Sequence, residues 1–211
     1  PIKNSPRKME KNKINKLDNI HREEINTNDF GTLAIDLGSS TTVVVFQKEN
    51  GQPPELLDLP PISRAIGEIP SLIWKLSEKE ESYLIGQQII DLNLINEKEN
   101  NLSQDFKRWI GSTKIEPIYD SKISPEKAGE ILIHNIWEKV SEKVNIKRLV
   151  LTAPVDTYRE YRTWLVNVCN SLEVKEIALV DEPTAAAMGA GLEPGSTLLV
   201  LDFGGSTIDM S

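Results

Sequence analysis

Leu33-Ala34-Ile35-Asp36-Leu37-Gly38-Ser39-Ser40-Thr41-Thr42-Val43-Val44-Val45-Phe46 decides how the rest of this chain is read. Two apolar runs flank a turn of Gly, Ser and Thr, and the first run ends on an acid. β-Branched residues after a Gly/Ser connection predict a β-hairpin. Gly38 is expected to take a backbone geometry that other residues resist. Successive backbone N–H groups in such a turn make a concave anion nest. Asp36, at the strand end, is placed to hold a metal ion beside a bound phosphate, directly or through water. Taken alone, the stretch reads first as an ordinary hairpin with a polar turn.

A second copy changes that balance. Near the C-terminus the chain runs Thr197-Leu198-Leu199-Val200-Leu201-Asp202-Phe203-Gly204-Gly205-Ser206-Thr207-Ile208-Asp209. Asp36 matches Asp202, Gly38 matches Gly204, Ser40 matches Ser206 and Thr41 matches Thr207. The copies lie too far apart for a short-period solenoid. They read as a duplicated phosphate-gripping unit, one copy on each side of a cleft. Neither is a P-loop, since no Gly-Lys-Ser/Thr follows the turn. Neither is a dinucleotide fingerprint, since no helix is expected to open after the glycines.

The 211 residues suffice for one domain and part of another. A net charge of −8 argues against general nucleic-acid binding. The single cysteine, Cys169, rules out an intrachain disulfide framework and suits a cytoplasmic protein. It sits in a helical apolar pattern, so core packing is expected of it. His21 and His134 are far apart and without cysteine companions, which argues against zinc. No apolar run reaches membrane-spanning length, and no signal-peptide core follows the N-terminus.

Residues 1–29 carry seven Lys/Arg and five Asp/Glu with no sustained apolar period, and read as a flexible, solvated extension. After the hairpin, 50–61 is Gly- and Pro-punctuated loop. Pro70–Lys75 and Tyr83–Gly86 predict short strands, and 87–105 helical or mixed structure. In Phe106-Lys107-Arg108-Trp109-Ile110-Gly111 the adjacent cations could bind phosphate, but on the residues alone they read first as one solvated cation and one salt bridge. Residues 124–144 predict a helix with Ser124 as N-cap, Pro125 in the first turn, and a core stripe of Ala128, Ile131, Leu132, Ile136, Val140 and Val144. Leu149–Pro154 predicts a central parallel strand covered on both faces. A helix over 157–172, a strand at Ile177–Val180 and an Ala-rich helix to Gly189, with Pro183 at its first position, complete a βαβα unit.

Asp36, Glu182 and Asp202 each follow an apolar strand. Ligands of open α/β sheets gather beyond the carboxyl ends of strands. Three acids there repel unless a cation neutralises them, which argues for magnesium phosphate. Glu182 has a second reading, as the cap of the helix that starts at Pro183.

Together these residues resemble the nucleotide-binding domain of the heat-shock protein 70 (DnaK-type) chaperones, within the actin-like and sugar-kinase-like ATPase superfamily. Five stretches carry the resemblance in the family's order: Ala34–Val45, Phe106–Gly111, Leu151–Arg162, Val180–Ala187 and Leu201–Ser211. It covers roughly 31–211. The fold it implies is α/β, a ribonuclease H-like lobe with a mixed five-stranded sheet flanked by helices. The lobe would run over 30–195 with an inserted subdomain at about 57–115, and 196–211 would begin a second lobe.

By the same resemblance, Gly38, Ser39, Ser40 and Thr41 would hold ATP or ADP phosphates from one side, and Gly204, Gly205, Ser206 and Thr207 from the other. Asp36, Glu182 and Asp202 would organise Mg2+ and its waters, and Asp209 would help place a monovalent cation such as K+. Lys107 would stabilise the attacking water and the transferring phosphoryl group. Pro154 and Arg162 match positions that relay nucleotide state between domains. Co-chaperones and unfolded clients would be partners in a full-length context; nucleic acid and membrane would not.

The chain departs from the family at three points. Ser206 stands where a third glycine is usual, Ser39-Ser40 replace the common threonines, and Trp109 follows the Lys-Arg pair. The sequence stops at Ser211, inside the second hairpin, so weak nucleotide affinity and little turnover are expected of these 211 residues. Two other identities stay open: a non-enzymatic remnant or pseudo-ATPase fragment, and a small-molecule kinase or filament protein of the same superfamily.

Overall fold

A computed structural model describes residues 30–77, 79–97, 100–112, 119–155, 158–191, 199–203 and 208–210. The basic extension over 1–29 lies outside them.

The opening stretch forms the predicted hairpin. Strand β1 (Phe30–Asp36) pairs antiparallel with β2 (Thr41–Lys48), from Gly31 opposite Lys48 to Asp36 opposite Val43. Period-2 alternation buries Leu33 and Ile35 of β1 with Val44 and Phe46 of β2. The chain then adds β3 (Glu55–Leu56) and β4 (Glu68–Pro70), both antiparallel to β2. A separate three-stranded sheet follows, with β5 (Ile73–Lys75) between β6 (Tyr83–Ile85) and β7 (Leu102–Ser103). It has its own apolar cluster of Trp74, Leu84 and Ile89. The helical part of 87–105 is a short α1 (Gln87–Asp91).

Helix α2 (Pro125–Ser141) begins as its sequence dictates. Ser124 Oγ accepts the Lys127 N–H at 3.2 Å, and Pro125 fills the first position, where no donor is needed. It ends three residues before the expected Val144. The N–H groups of Lys143 and Val144 both return to the Val140 carbonyl, and the chain turns straight into β8 (Asn145–Ala153). That strand starts four residues before the expected Leu149. Its first four residues are largely exposed, so they lack the apolar signature of the rest. Next come α3 (Tyr158–Asn170), β9 (Glu176–Asp181) and α4 (Glu182–Gly189).

β8 pairs parallel with β1 on one side and β9 on the other. The main sheet is therefore mixed, ordered β3-β2-β1-β8-β9, with β4 as a sixth strand attached to β2. This is the α/β class read from the sequence, with one small strand beyond the expected five. Leu33, Ile35, Leu149 and Leu151 meet Leu132, Ile136, Tyr161 and Leu165 in one core. Deleting a buried leucine such as Leu132 would cost about 2–5 kcal/mol through lost contact and a residual cavity.

The expectation that β8 is covered on both faces needs correction. Leu149, Leu151 and Ala153 are buried, but Val150 and Thr152 on the opposite face are only half-buried, and no residue of α4 is buried. Cys169 is fully buried in the core, and burial pushes its thiol up to about 11. No helix among the described residues is long and apolar enough to cross a membrane.

The second copy also forms a hairpin. β10 (Leu201–Phe203) pairs antiparallel with β11 (Ile208–Met210). Asp202 lies opposite Asp209, as Asp36 lies opposite Val43, so each acid pairs with the residue seven positions on. The turn of this copy, Gly204–Thr207, lies outside the described residues, as do the side chains of Asp202 and Asp209.

Candidate functional site

Because β1, β8 and β9 are parallel neighbours, their carboxyl ends share one edge of the sheet. That edge gathers residues that are remote in sequence. Asp36 ends β1, and Thr152 Oγ1 on β8 donates to its Oδ1 at 2.5 Å, which fixes one carboxylate oxygen. Asp181 ends β9 and Glu182 opens α4.

The N-cap of α4 is Asp181. Its Oδ1 accepts the Thr184 N–H at 2.9 Å, and that hydrogen bond holds its carboxyl below the ordinary value. The capping role expected of Glu182 therefore belongs to its neighbour. Glu182 takes the first helical position and Pro183 the second, one later than expected. Relieved of capping, Glu182 Oε1 accepts Lys107 Nζ at 2.6 Å.

Lys107 reaches the edge from the 3₁₀ turn Phe106–Trp109. Phe106 and Ile110 are buried and anchor that turn. Gly111 closes it at φ +76°, donates its N–H to Glu126 Oε1 on α2 at 3.0 Å, and lies against α3. A Cβ there would fall 2.7 Å from Glu160 Cβ, so only glycine lets the turn sit this close. The two adjacent cations then part ways. Lys107 joins Glu182, both largely shielded at 13% and 18% exposure, while Arg108 is exposed and lies 4.9 Å over the Trp109 ring.

The turn of the first hairpin is braced from outside. Ser71 Oγ, itself buried, donates to the Gly38 carbonyl at 2.7 Å and lies 2.9 Å from the buried Thr42 hydroxyl. The Ser71 N–H donates to the Ser40 carbonyl at 2.9 Å. Gly38 does not have the positive φ that would single out glycine. Its side-chain-free Cα is needed because a Cβ would fall 2.2 Å from the Thr41 carbonyl oxygen. The reason for the glycine is close approach within the turn.

Tyr161 belongs to the core under this edge. It is fully buried on α3, and its hydroxyl has no hydrogen-bond partner among the described residues. Burial raises its ionisation well above the ordinary value, and the Glu182 and Asp36 carboxylates raise it further. The phenol is therefore a proton-bearing donor in the field of both acids.

These groups fit a magnesium phosphate. The acids supply oxygen ligands suited to a hard cation, and Lys107 supplies positive charge. Among the described residues no cluster of three or more His, Cys, Asp or Glu could hold a metal, and the third acid, Asp202, has its side chain outside them. Pro154 follows β8 half-buried at the same edge, and Arg162 is exposed on α3 next to Tyr161.

Sequence reasoning missed Thr152, Ser71, Asp181 and the Tyr161 hydroxyl. A capping acid three residues before Thr184 was open to local inspection. Thr152 and Ser71 act through partners distant in sequence, and the burial of the Tyr161 hydroxyl follows from tertiary packing.

Residues 100–211, more than half of the chain, match the family model of the MreB/Mbl protein. Among curated proteins, the chaperone protein DnaK of Mycoplasmopsis agalactiae is 28% identical over 188 residues, covering 85% of this chain and 29% of that protein. DnaK of Trieres chinensis is 27% identical over 207 residues, covering 85% and 32%. DnaK of Thermosipho melanesiensis is 26% identical over 187 residues, covering 85% and 30%. The chain spans about a third of the length of these relatives.

Proposed function

Because the chain belongs to the actin-like ATPase family, matched through the MreB/Mbl model, we propose that it is the first, phosphate-gripping lobe of a DnaK-like chaperone ATPase domain. The observation that carries this reading is the Lys107–Glu182 pair at the carboxyl edge of the sheet, the edge at which Asp36 ends β1. The pair brings a cation from the 3₁₀ turn to the acids that end the parallel strands. The reading assigns the β- and γ-phosphates of ATP to the turn Gly38–Thr41 on one side and Gly204–Thr207 on the other. Asp36, Glu182 and Asp202 would hold Mg2+, largely through water, and Asp209 would favour a monovalent cation such as K+.

Phosphoryl transfer asks for positioning and charge neutralisation more than for covalent chemistry. Magnesium held by Asp36, Glu182 and Asp202 would supply charge neutralisation at the phosphates. The chain's own residues do the rest. Thr152 keeps the Asp36 carboxylate oriented, the Ser71 brace keeps the Gly38 turn in shape, and Lys107 would stabilise the attacking water and the transferring phosphoryl group. Pro154 and Arg162, next to this edge, are assigned the relay of nucleotide state to a further domain. Co-chaperones, unfolded clients and a cytoplasmic setting belong to the same proposal.

The test is magnesium-dependent ATP binding and turnover by the protein expressed from its own gene, with Lys107→Ala as control. Loss of turnover in the variant with retained binding is expected. Equal turnover in both proteins would refute the role given to Lys107. A second reading, a filament protein of the same superfamily, is favoured by the MreB/Mbl match. ATP-dependent sedimentation of polymer would decide for it.

A further inference from the structure

We propose that residues 1–16 of this chain bind its own acidic groove between β6 and α2, a charge-driven latch within one molecule. The proposal is independent of the ATPase reading and concerns a surface that the reading leaves unused.

The groove encloses about 400 Å³ between residues 81–85 and the outer face of α2. Tyr83 and Ile131 line it with apolar surface, each half-buried against the main core. Glu81, Glu130 and Glu138 give its walls their negative charge, against Lys127 and His134. Glu130 is paired with Lys127 at 3.2 Å, and His134 Nε2 lies 2.8 Å from Ser171 Oγ. Glu81 and Glu138 are exposed and have no salt bridge among the described residues. Helix stability does not explain Glu138. It lies in the last turn of α2, with Glu142 four residues on at the C-cap. Acids at that end oppose the helix dipole, and like charges four apart repel. A cationic partner in the groove offsets both effects.

The chain itself carries such a partner. Residues 1–16 contain Lys3, Arg7, Lys8, Lys11, Lys13 and Lys16 against Glu10, six cations minus one acid, or +5. Residues 17–29 reverse the sign, with Arg22 against Asp18, Glu23, Glu24 and Asp29, one minus four, or −3. The positive charge is thus concentrated in the part farther along the chain from β1. The point of attachment is favourable as well. Phe30 pairs with Asn145, three residues past the C-cap of α2, so the extension joins the body near the acidic end of that helix. The thirteen residues 17–29 can span at most about 45 Å, ample to carry the basic residues along α2. Lysine stems cover apolar surface while their ammonium groups meet acids, which suits Tyr83 and Ile131 among the three glutamates. Attachment also raises the effective concentration to about the millimolar range, so surface ion pairs that are weak one by one suffice together.

The experiment is zero-length carbodiimide cross-linking of the protein expressed from its own gene, with the links mapped by mass spectrometry. At low salt, lysines of 1–16 should couple to Glu81, Glu130 and Glu138 in preference to Glu49 and Glu176, and the Lys127–Glu130 link serves as the internal standard. These links should fade at about 0.5 M salt. Glu81→Gln combined with Glu138→Gln should lower coupling to the unaltered Glu130 about fivefold, the combined size of two surface pairs, with an unchanged circular dichroism spectrum. In a mixture of light and heavy-isotope protein the links should stay within one isotope. Links that mix isotopes would make a second copy the occupant and overturn the proposal. So would links spread evenly over the surface acids, or coupling to Glu130 that the glutamine variant leaves unchanged.

Discussion

The Lys107–Glu182 pair gives the most direct test of the site's physics. Its partners are 2.6 Å apart and only 13% and 18% exposed. Removing one member of a fully buried pair costs about 3–5 kcal/mol, because a charge is left without compensation. An exposed pair contributes about 0–1 kcal/mol. The residual exposure of this pair places Lys107→Met between those limits, at about 2–3 kcal/mol. For a chain of this size about 1 kcal/mol moves Tm by about 2–4 °C, so a drop of roughly 4–12 °C is expected. Glu182→Gln should cost less, since an amide replaces a charge. The double variant should recover part of the loss, giving a coupling energy of about 1–2 kcal/mol. The assay is a double-mutant cycle by thermal or urea unfolding at low and high salt. Arg148–Glu176, a 2.6 Å pair whose side chains are 53% and 60% exposed, supplies the comparison within the same fold. Its coupling should be small and should fade with salt, whereas the shielded pair should keep most of its own. A Lys107–Glu182 coupling below about 0.5 kcal/mol, or one that fades in parallel with the surface pair, would refute the claim that this pair is shielded from solvent.

Three further outcomes follow from individual residues. Gly38→Ala would put a Cβ 2.2 Å from the Thr41 carbonyl oxygen, so the turn must open at a cost of about 1–3 kcal/mol, read as a lower midpoint in urea. Asp181→Ala should lose about 1 kcal/mol with the cap of α4. Because the folded Asp181 carboxyl ionises below its ordinary value, that contribution is complete above about pH 4 and disappears as pH falls, so wild-type and variant melting curves should converge in acid. Cys169 works in the opposite sense: its folded thiol is raised to about 11, so its contribution is complete below about pH 8.5 and is lost as pH rises toward 11. Cys169→Ala should flatten the alkaline limb of stability against pH.

What the sequence disclosed was local. Alternating β-branched residues gave the β1–β2 hairpin, Ser124-Pro125 gave the start of α2, and an apolar run followed by a 3.6-residue period gave β8 and α3. The paired acid-Gly motifs located both hairpins and most of the candidate site. Apart from the Asp181 cap, the pairings that the sequence did not disclose have a common cause. Thr152 and Asp36 are 116 residues apart, Lys107 and Glu182 75, and Ser71 and Gly38 33. No pattern within a helix or strand encodes such pairs, because they follow from which strand lies beside which. The start of β8 was hidden for a related reason: Asn145–Arg148 pair with their neighbours through the backbone while their side chains stay largely exposed, so strand pairing leaves no apolar trace.

Gly38 shows how a residue can be singled out correctly for the wrong physical reason. A Gly-Ser-Ser-Thr turn suggests conformational freedom, the usual reason for glycine at a tight turn. Gly111, at φ +76°, meets that description. Gly38 is instead limited by the space left by the Thr41 carbonyl. The distinction matters for function. A glycine needed for its φ tolerates a neighbouring oxygen that moves, whereas one needed for space depends on that oxygen staying in place. Here Ser71 sets the position, bonding the carbonyls of Gly38 and Ser40 from a separate segment of chain. The shape of the turn is therefore set by contacts within the chain, and a turn ordered in this way would bind the proposed phosphate without the cost of ordering itself.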